Sequence, residues 1–180
     1  MPRFPFLLLT TIIASLVTLT ACSGLKALNF ITPSSGYTLK SDIAYQEHHN
    51  QKLDVYVPTV PDSKNTVLVF FYGGSWQTGS KDQYRFVGQS LAKQGYVTII
   101  ADYRTYPTAY FPAFMEDAAD VLKWTHQHAG EYGGNNNRIF VAGHSAGAHI
   151  AMLLTLDKSF IQKVKGKPEW IHGVIGIAGP

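Results

Sequence analysis

Ser145 sits at the centre of Gly143-His144-Ser145-Ala146-Gly147, a G-x-S-x-G pentapeptide. A serine hydroxyl attacks a carbonyl only when a base takes its proton and donors stabilise the oxyanion that forms. The two glycines fit a turn so tight that side chains there would collide, with the serine held up on a strained backbone. They also fit plain close packing of a strand against a helix. The flanks favour the first reading, because RIFVA before the motif has a strand's character and AHIAMLLTL after it a helix's. The N–H of Ala146, opening that helix, would then face the oxyanion. A second donor set is offered by Tyr72-Gly73-Gly74-Ser75-Trp76, directly after the apolar run TVLVFF. Glycine lets backbone N–H groups approach a ligand without a Cβ in the way. A Gly-Gly pair is weak evidence alone and gains its weight from the elbow downstream.

The base is harder to find. In an α/β sheet protein with this elbow, the acid and then the histidine follow the serine along the chain. After Ser145 the carboxylates are Asp157 and Glu169, and the histidines are His149 and His172. His149 lies four residues on, on the helix leaving the elbow, where packing is its expected role. His172 opens the last apolar run, and a strand of that length puts its start roughly 20 Å from the site edge. His144 is the variable residue of the elbow, and His126 and His128 end a helix. His48 and His49 sit in a turn with no partner ligands at metal-binding spacing. No histidine in these 180 residues reads as the base, and no metal or cofactor is expected.

Stepping outward, the apolar runs Thr66–Phe71, Tyr96–Ala101 and Ile139–Ala142 read as strands buried on both faces of a parallel sheet. Ile171–Ile177 is a sixth strand candidate. Asp42–Tyr45 and Leu53–Val57 are two shorter strands around the turn EHHNQ. Helices are expected over Asp82–Gln94, Pro112–His128 and Ala146–Leu156. In the second, Phe114, Ala118, Val121, Leu122 and Thr125 form one stripe, with Glu116, Asp117, Asp120 and Lys123 opposite. Strands alternating with helices predict an α/β fold with helices on both faces of the sheet. The final strand would be an exposed apolar edge.

Apolar residues make up 46% of the chain, enough for one domain's core, and the formal net charge of +3 is spread rather than clustered. That argues against a nucleic-acid partner. Residues 1–21 have a basic start at Arg3, an apolar middle (FLLLTTIIASLVTL) and small residues at the end, the layout of an export signal; an uncleaved anchor helix is the other reading. Leu19-Thr20-Ala21-Cys22 resembles the lipobox of bacterial lipoproteins, which implies lipidation of Cys22, the single cysteine. Several acyl chains on one residue would hold the protein to a membrane. By the same resemblance, Ser23 directs the lipoprotein to the outer membrane, facing the periplasm. Residues 22–40 would form a lipidated tether, and 41–180 the domain.

FFYGGSWQTGSK, ADYRTYP, FPAFMEDAADVLKW, YGGNNNRIFVAGHSAGAHIA and GVIGIAG occur in the order found in the α/β-hydrolase superfamily. The chain resembles its feruloyl-esterase-like and prenylcysteine-methylesterase-like carboxylesterases, which are related to hormone-sensitive lipase. The resemblance covers roughly residues 50–180 and implies Ser145 as nucleophile, with the N–H groups of Gly74, Ser75 and Ala146 as oxyanion hole. The family's motif histidine is Tyr72 here and its third glycine is Ser75, which alters the shape of the acyl pocket. The family continues past the equivalent of Pro180 with strands carrying an acid and then a histidine, so the sequence looks like an N-terminal portion lacking the last strands. The expected function is hydrolysis of a small-molecule ester through an acyl-enzyme. The alternatives are an arylformamidase-type amide hydrolase and a non-catalytic envelope lipoprotein that binds with a hydrolase half-fold. Tyr103, Tyr106, Tyr110 and Phe111 provide either an aromatic wall for substrate or ordinary packing.

Overall fold

The computed structural model describes residues 24–46 and 51–179. Its six strands are β1 (Tyr37–Gln46), β2 (Gln51–Pro58), β3 (Val67–Phe71), β4 (Val97–Ala101), β5 (Ile139–His144) and β6 (Ile171–Ile177). They form one sheet in the order β1-β2-β4-β3-β5-β6. β1 and β2 are antiparallel to their neighbours, whereas β4, β3, β5 and β6 run parallel. Every residue of β3 and β4 is buried, which is why their sequences show no polar alternation.

Among the described residues five α-helices pack around the sheet: α1 (residues 24–31), α2 (Arg85–Lys93), α3 (Ala113–His128), α4 (Ala146–Leu156) and α5 (Lys158–Lys163). The chain steps from β3 to β4 in one direction along the sheet, then from β4 across β3 to β5 in the other. Right-handed crossovers therefore put α2 on one face and α3 and α4 on the opposite face.

The strands and helices match the sequence reading closely, with three instructive differences. β1 begins at Tyr37 rather than Asp42, because a bulge lets the strand continue: Asp42 takes a positive φ of 57° and its N–H donates to Asp54 Oδ1 at 3.0 Å. The segment expected over Asp82–Gln94 divides into a 3-10 turn, Lys81–Tyr84, followed by α2. Within the stretch expected to be a tether, α1 packs on that turn. Its Asn29 amide donates to the carbonyls of Asp82 and Gln83, at 2.9 and 3.3 Å, and accepts from Phe86 N–H at 2.8 Å. Asn29 thus satisfies an otherwise orphaned N–H in the first turn of α2.

Asp117 corrects the expectation that it faces away from the α3 stripe, for it is fully buried. Arg104, from the loop after β4, reaches it with Nη2 at 2.7 Å and Nε at 2.9 Å, while the Arg104 N–H donates to Oδ2 at 2.7 Å. A buried carboxylate is tolerable when it is met by a guanidinium and an amide in this way. The same pairing ties the loop after β4 to α3.

Candidate active site

Ser145 follows β5 and is the N-cap of α4, with φ 51° and ψ −119°. A β-carbon makes this region costly for any residue but glycine, so the surroundings must hold the serine there. Three features do so. The Ser145 N–H donates to Ile177 carbonyl at 2.8 Å, extending the β5–β6 ladder past the last strand residue. A Cβ on Gly143 would lie 2.1 Å from the Gly147 carbonyl oxygen. A Cβ on Gly147 would lie 2.0 Å from the Phe71 carbonyl oxygen, so the first turn of α4 nests directly on the end of β3.

That nesting brings the second donor loop to the serine. β3 and β5 pair Phe71 with Gly143, so the residues after each strand emerge side by side. A Cβ on Gly73 would lie 3.1 Å from Ser145 Cβ. The loop then takes three successive positive φ values, 146° at Gly74, 53° at Ser75 and 58° at Trp76. Its turn is closed by Gln77 and Thr78 N–H groups donating to the Gly74 carbonyl at 2.9 and 3.0 Å. Among the described residues no acceptor takes the N–H of Gly74, Ser75 or Ala146. Burial raises the Tyr84 pKa, and the nearby Gly73 N–H opposes that rise. The Tyr84 hydroxyl shares a hydrogen bond with His144 Nδ1 at 3.0 Å. A cavity of about 530 Å³ opens beside Gly73 and Gly74, walled by Thr78, Tyr84 and, from α1, Leu25 and Asn29.

No histidine or carboxylate among the described residues hydrogen-bonds the Ser145 hydroxyl. His149 packs edge-on to Trp76, with ring centroids 5.3 Å apart, and its buried Nδ1 has no partner. It lines a cavity of about 560 Å³ with Met152, Leu156 and Val174. His172 lies at the start of β6, where Ile171 pairs with Ile139 at the far edge of the sheet. It stands five residue steps from Ile177 along the strand, roughly 17 Å. His126 and His128 donate from Nδ1 to the backbone carbonyls of Asn136 and Trp124, at 2.9 and 2.8 Å. His48, His49 and Cys22 fall outside the described residues.

Of the four aromatics considered for a substrate wall, Tyr103 is buried and donates to the Tyr72 carbonyl at 2.8 Å. Tyr106, Tyr110 and Phe111 are half or more exposed, and the Tyr106 N–H holds the Trp76 carbonyl at 2.8 Å. Two residues that shape the site were missed in the sequence. Asp102 had a legible signal, a lone carboxylate ending the apolar strand YVTIIA beside β3. Tyr84 had none, since its role depends on how the 3-10 turn is oriented.

The BD-FAE family model matches residues 53–179. Isoprenylcysteine alpha-carbonyl methylesterase ICME of Arabidopsis thaliana is 30% identical over 146 residues, covering 78% of this chain and 34% of that protein. Esterase LipC of Mycobacterium tuberculosis is 34% identical over 152 residues, 79% of this chain and 37% of LipC. Among solved structures, esterase Est22 superposes with a TM-score of 0.75 at 25% identity, covering 91% of this chain and 51% of that one. An esterase of Pyrobaculum calidifontis gives 0.73 at 24% identity, with 89% and 50% covered. The chain therefore spans about a third of the length of these curated relatives and about half of the solved structures. The family match, the order of the elements and the elbow agree, and the chain belongs to the BD-FAE family of the α/β-hydrolase superfamily.

Proposed function

We propose that this protein is a serine carboxylic-ester hydrolase in which Ser145 attacks a small-molecule ester and forms an acyl-enzyme. The observation that carries this reading is Ser145 held at φ 51°, ψ −119° against a loop whose Gly74 and Ser75 N–H groups are free, with Ala146 N–H at the helix start. Donors fixed before the reaction stabilise an oxyanion without having to reorganise. The esterase relatives support the same chemistry. The general base and its acid come from outside the described residues, because none of the described histidines reaches the Ser145 hydroxyl. The imidazole would take the hydroxyl proton, deliver it to the leaving alcohol, and later activate the water that frees the acid.

The 180-residue chain should hydrolyse p-nitrophenyl butyrate no faster than its Ser145→Ala variant. Ser145-dependent turnover by that chain would refute the placement of the base. The reaction requires a further segment bearing an acid and then a histidine. A chain extended through it should gain Ser145-dependent ester hydrolysis. If it gains none, the non-catalytic binding reading replaces the esterase.

Residues 1–21 are proposed as the export signal, with lipidated Cys22 holding the domain to the envelope. Among the described residues no helix is long and apolar enough to cross a membrane. Palmitate labelling that persists in Cys22→Ala would overturn the anchor.

A further inference from the structure

We infer that Asp102 is a positioning residue for the oxyanion loop, one of its carboxylate oxygens holding both ends of residues 72–81; the inference rests on the reading of Gly74 and Ser75 as oxyanion donors. Tyr72, the first residue after β3, donates its hydroxyl to Asp102 Oδ1 at 3.2 Å. Lys81, the first residue of the 3-10 turn that receives the loop, donates its backbone N–H to the same oxygen at 2.8 Å. The loop therefore leaves the sheet and returns to it at one atom.

Strand register explains why this carboxylate is in reach. β3 and β4 pair Phe70 with Ile100, and two further positions set Tyr72 beside Asp102. The post itself is fixed from the other side. Asp102 N–H donates to the Lys52 carbonyl at 2.9 Å, and its carbonyl accepts from the Tyr45 hydroxyl at 2.6 Å, so β2 and β1 both hold it. The next residue adds a second clamp on the loop root. Tyr103 stacks on Tyr72 at 4.6 Å, and its hydroxyl donates to the Tyr72 carbonyl at 2.8 Å. The Lys81 ammonium takes no part in the tie, being occupied by Asp42 and Asp54 at 3.0 Å each.

A loop with three successive positive φ values, two of them at non-glycine residues, does not keep that shape unaided. Its donors must also stay within about 0.5 Å of where the oxyanion forms to be of use. Closing both ends on one anchored oxygen meets that requirement. Burial leaves the Asp102 pKa above the ordinary carboxylate value, although the Lys81 N–H, the Lys81 charge and the Tyr72 hydroxyl each oppose the rise.

The test is hydrogen exchange on the full chain without substrate. Asp102→Ala should cut amide protection over residues 72–81 by tenfold or more, leaving β3 and β5 unchanged. Asp102→Asn, which keeps an acceptor oxygen, should restore most of it. Tyr72→Phe should loosen only the start of the loop and add nothing in an Asp102→Ala background, since both changes remove the same tie. In the chain extended to include its base, Asp102→Ala should lower kcat by about a hundredfold with KM within about twofold, as expected for donors felt only in the transition state. Unchanged loop protection, equal loosening of β5, or no rescue by Asp102→Asn would each overturn the assignment. Loss of loop protection in a protein with no Ser145-dependent turnover would leave the loop anchor standing and sink the esterase reading instead.

Discussion

Replacing Ser145 by glycine should make the protein more stable. At φ 51°, ψ −119° a residue with a β-carbon carries roughly 1–3 kcal/mol of backbone strain, and glycine carries almost none. Against this, glycine loosens the unfolded chain by about 0.4–1 kcal/mol relative to alanine. The difference at mid-range is a net gain of about 1 kcal/mol. Nothing else is lost with the side chain: the Ser145 hydroxyl makes no capping hydrogen bond to α4, and the N–H donated to Ile177 is kept. Ser145→Ala is the control, since it removes the hydroxyl and keeps the strain. For a chain of this length a gain of that size raises Tm by about 2–4 °C. Urea unfolding and calorimetry of the three proteins measure it. If Ser145→Gly proves no more stable than Ser145→Ala, the elbow is not strained, and the argument that its surroundings hold a nucleophile out of its preferred conformation fails.

Gly147→Ala should destabilise by about 3 kcal/mol or more, because its Cβ would stand 2.0 Å from the Phe71 carbonyl oxygen and backbone must move. Gly176→Ala, whose Cβ meets nothing closer than Met152 at 3.7 Å, should stay within about 0.5 kcal/mol, and equal losses in urea unfolding would contradict the packing account. Burial presses the Lys81 pKa down, but the hydrogen bonds to Asp42 and Asp54 prevail and lift it from 10.5 to about 12. Its contribution of about 2 kcal/mol is therefore complete below pH 10.5 and is lost as pH rises through about 12. The stability gap between the native protein and Lys81→Met should narrow by that amount over this range; a constant gap would refute the pairing.

How much of this was legible depended on whether the determinant was local. The elbow was readable because its glycines, strand and helix lie within one run of sequence, and α4 and β6 fell where periodicity put them. The loop after TVLVFF was readable for the same reason. Asp117 misled because helical spacing locates a face but not what approaches it, and Arg104 arrives from a loop that periodicity does not describe. Lys81 and Asp54 look like surface charges in sequence, yet they meet inside the fold because the bulge at Asp42 turns β1 over them. The docking of α1 rests on the Asn29 amide, and a single asparagine in an otherwise ordinary stretch carries no signal for it.

The strand order also separates two parts of the proposed reaction. Oxyanion stabilisation needs only the turns after β3 and β5, which neighbour each other in the sheet and touch by register. Proton transfer needs an imidazole from another element, and no described residue supplies one. Enzymes stripped of their triad keep roughly a thousandfold or more over water from oxyanion donors and binding alone. The 180-residue chain should therefore hydrolyse an activated ester slowly but above buffer, at a rate that Ser145→Ala leaves unchanged and Asp102→Ala lowers. Rates are read as initial p-nitrophenol release against a buffer blank and against heat-unfolded protein. Equal rates for native and unfolded chain would mean that the Gly74 and Ser75 amides are not poised for an oxyanion. A rate that falls in Ser145→Ala would mean that a base already reaches the serine.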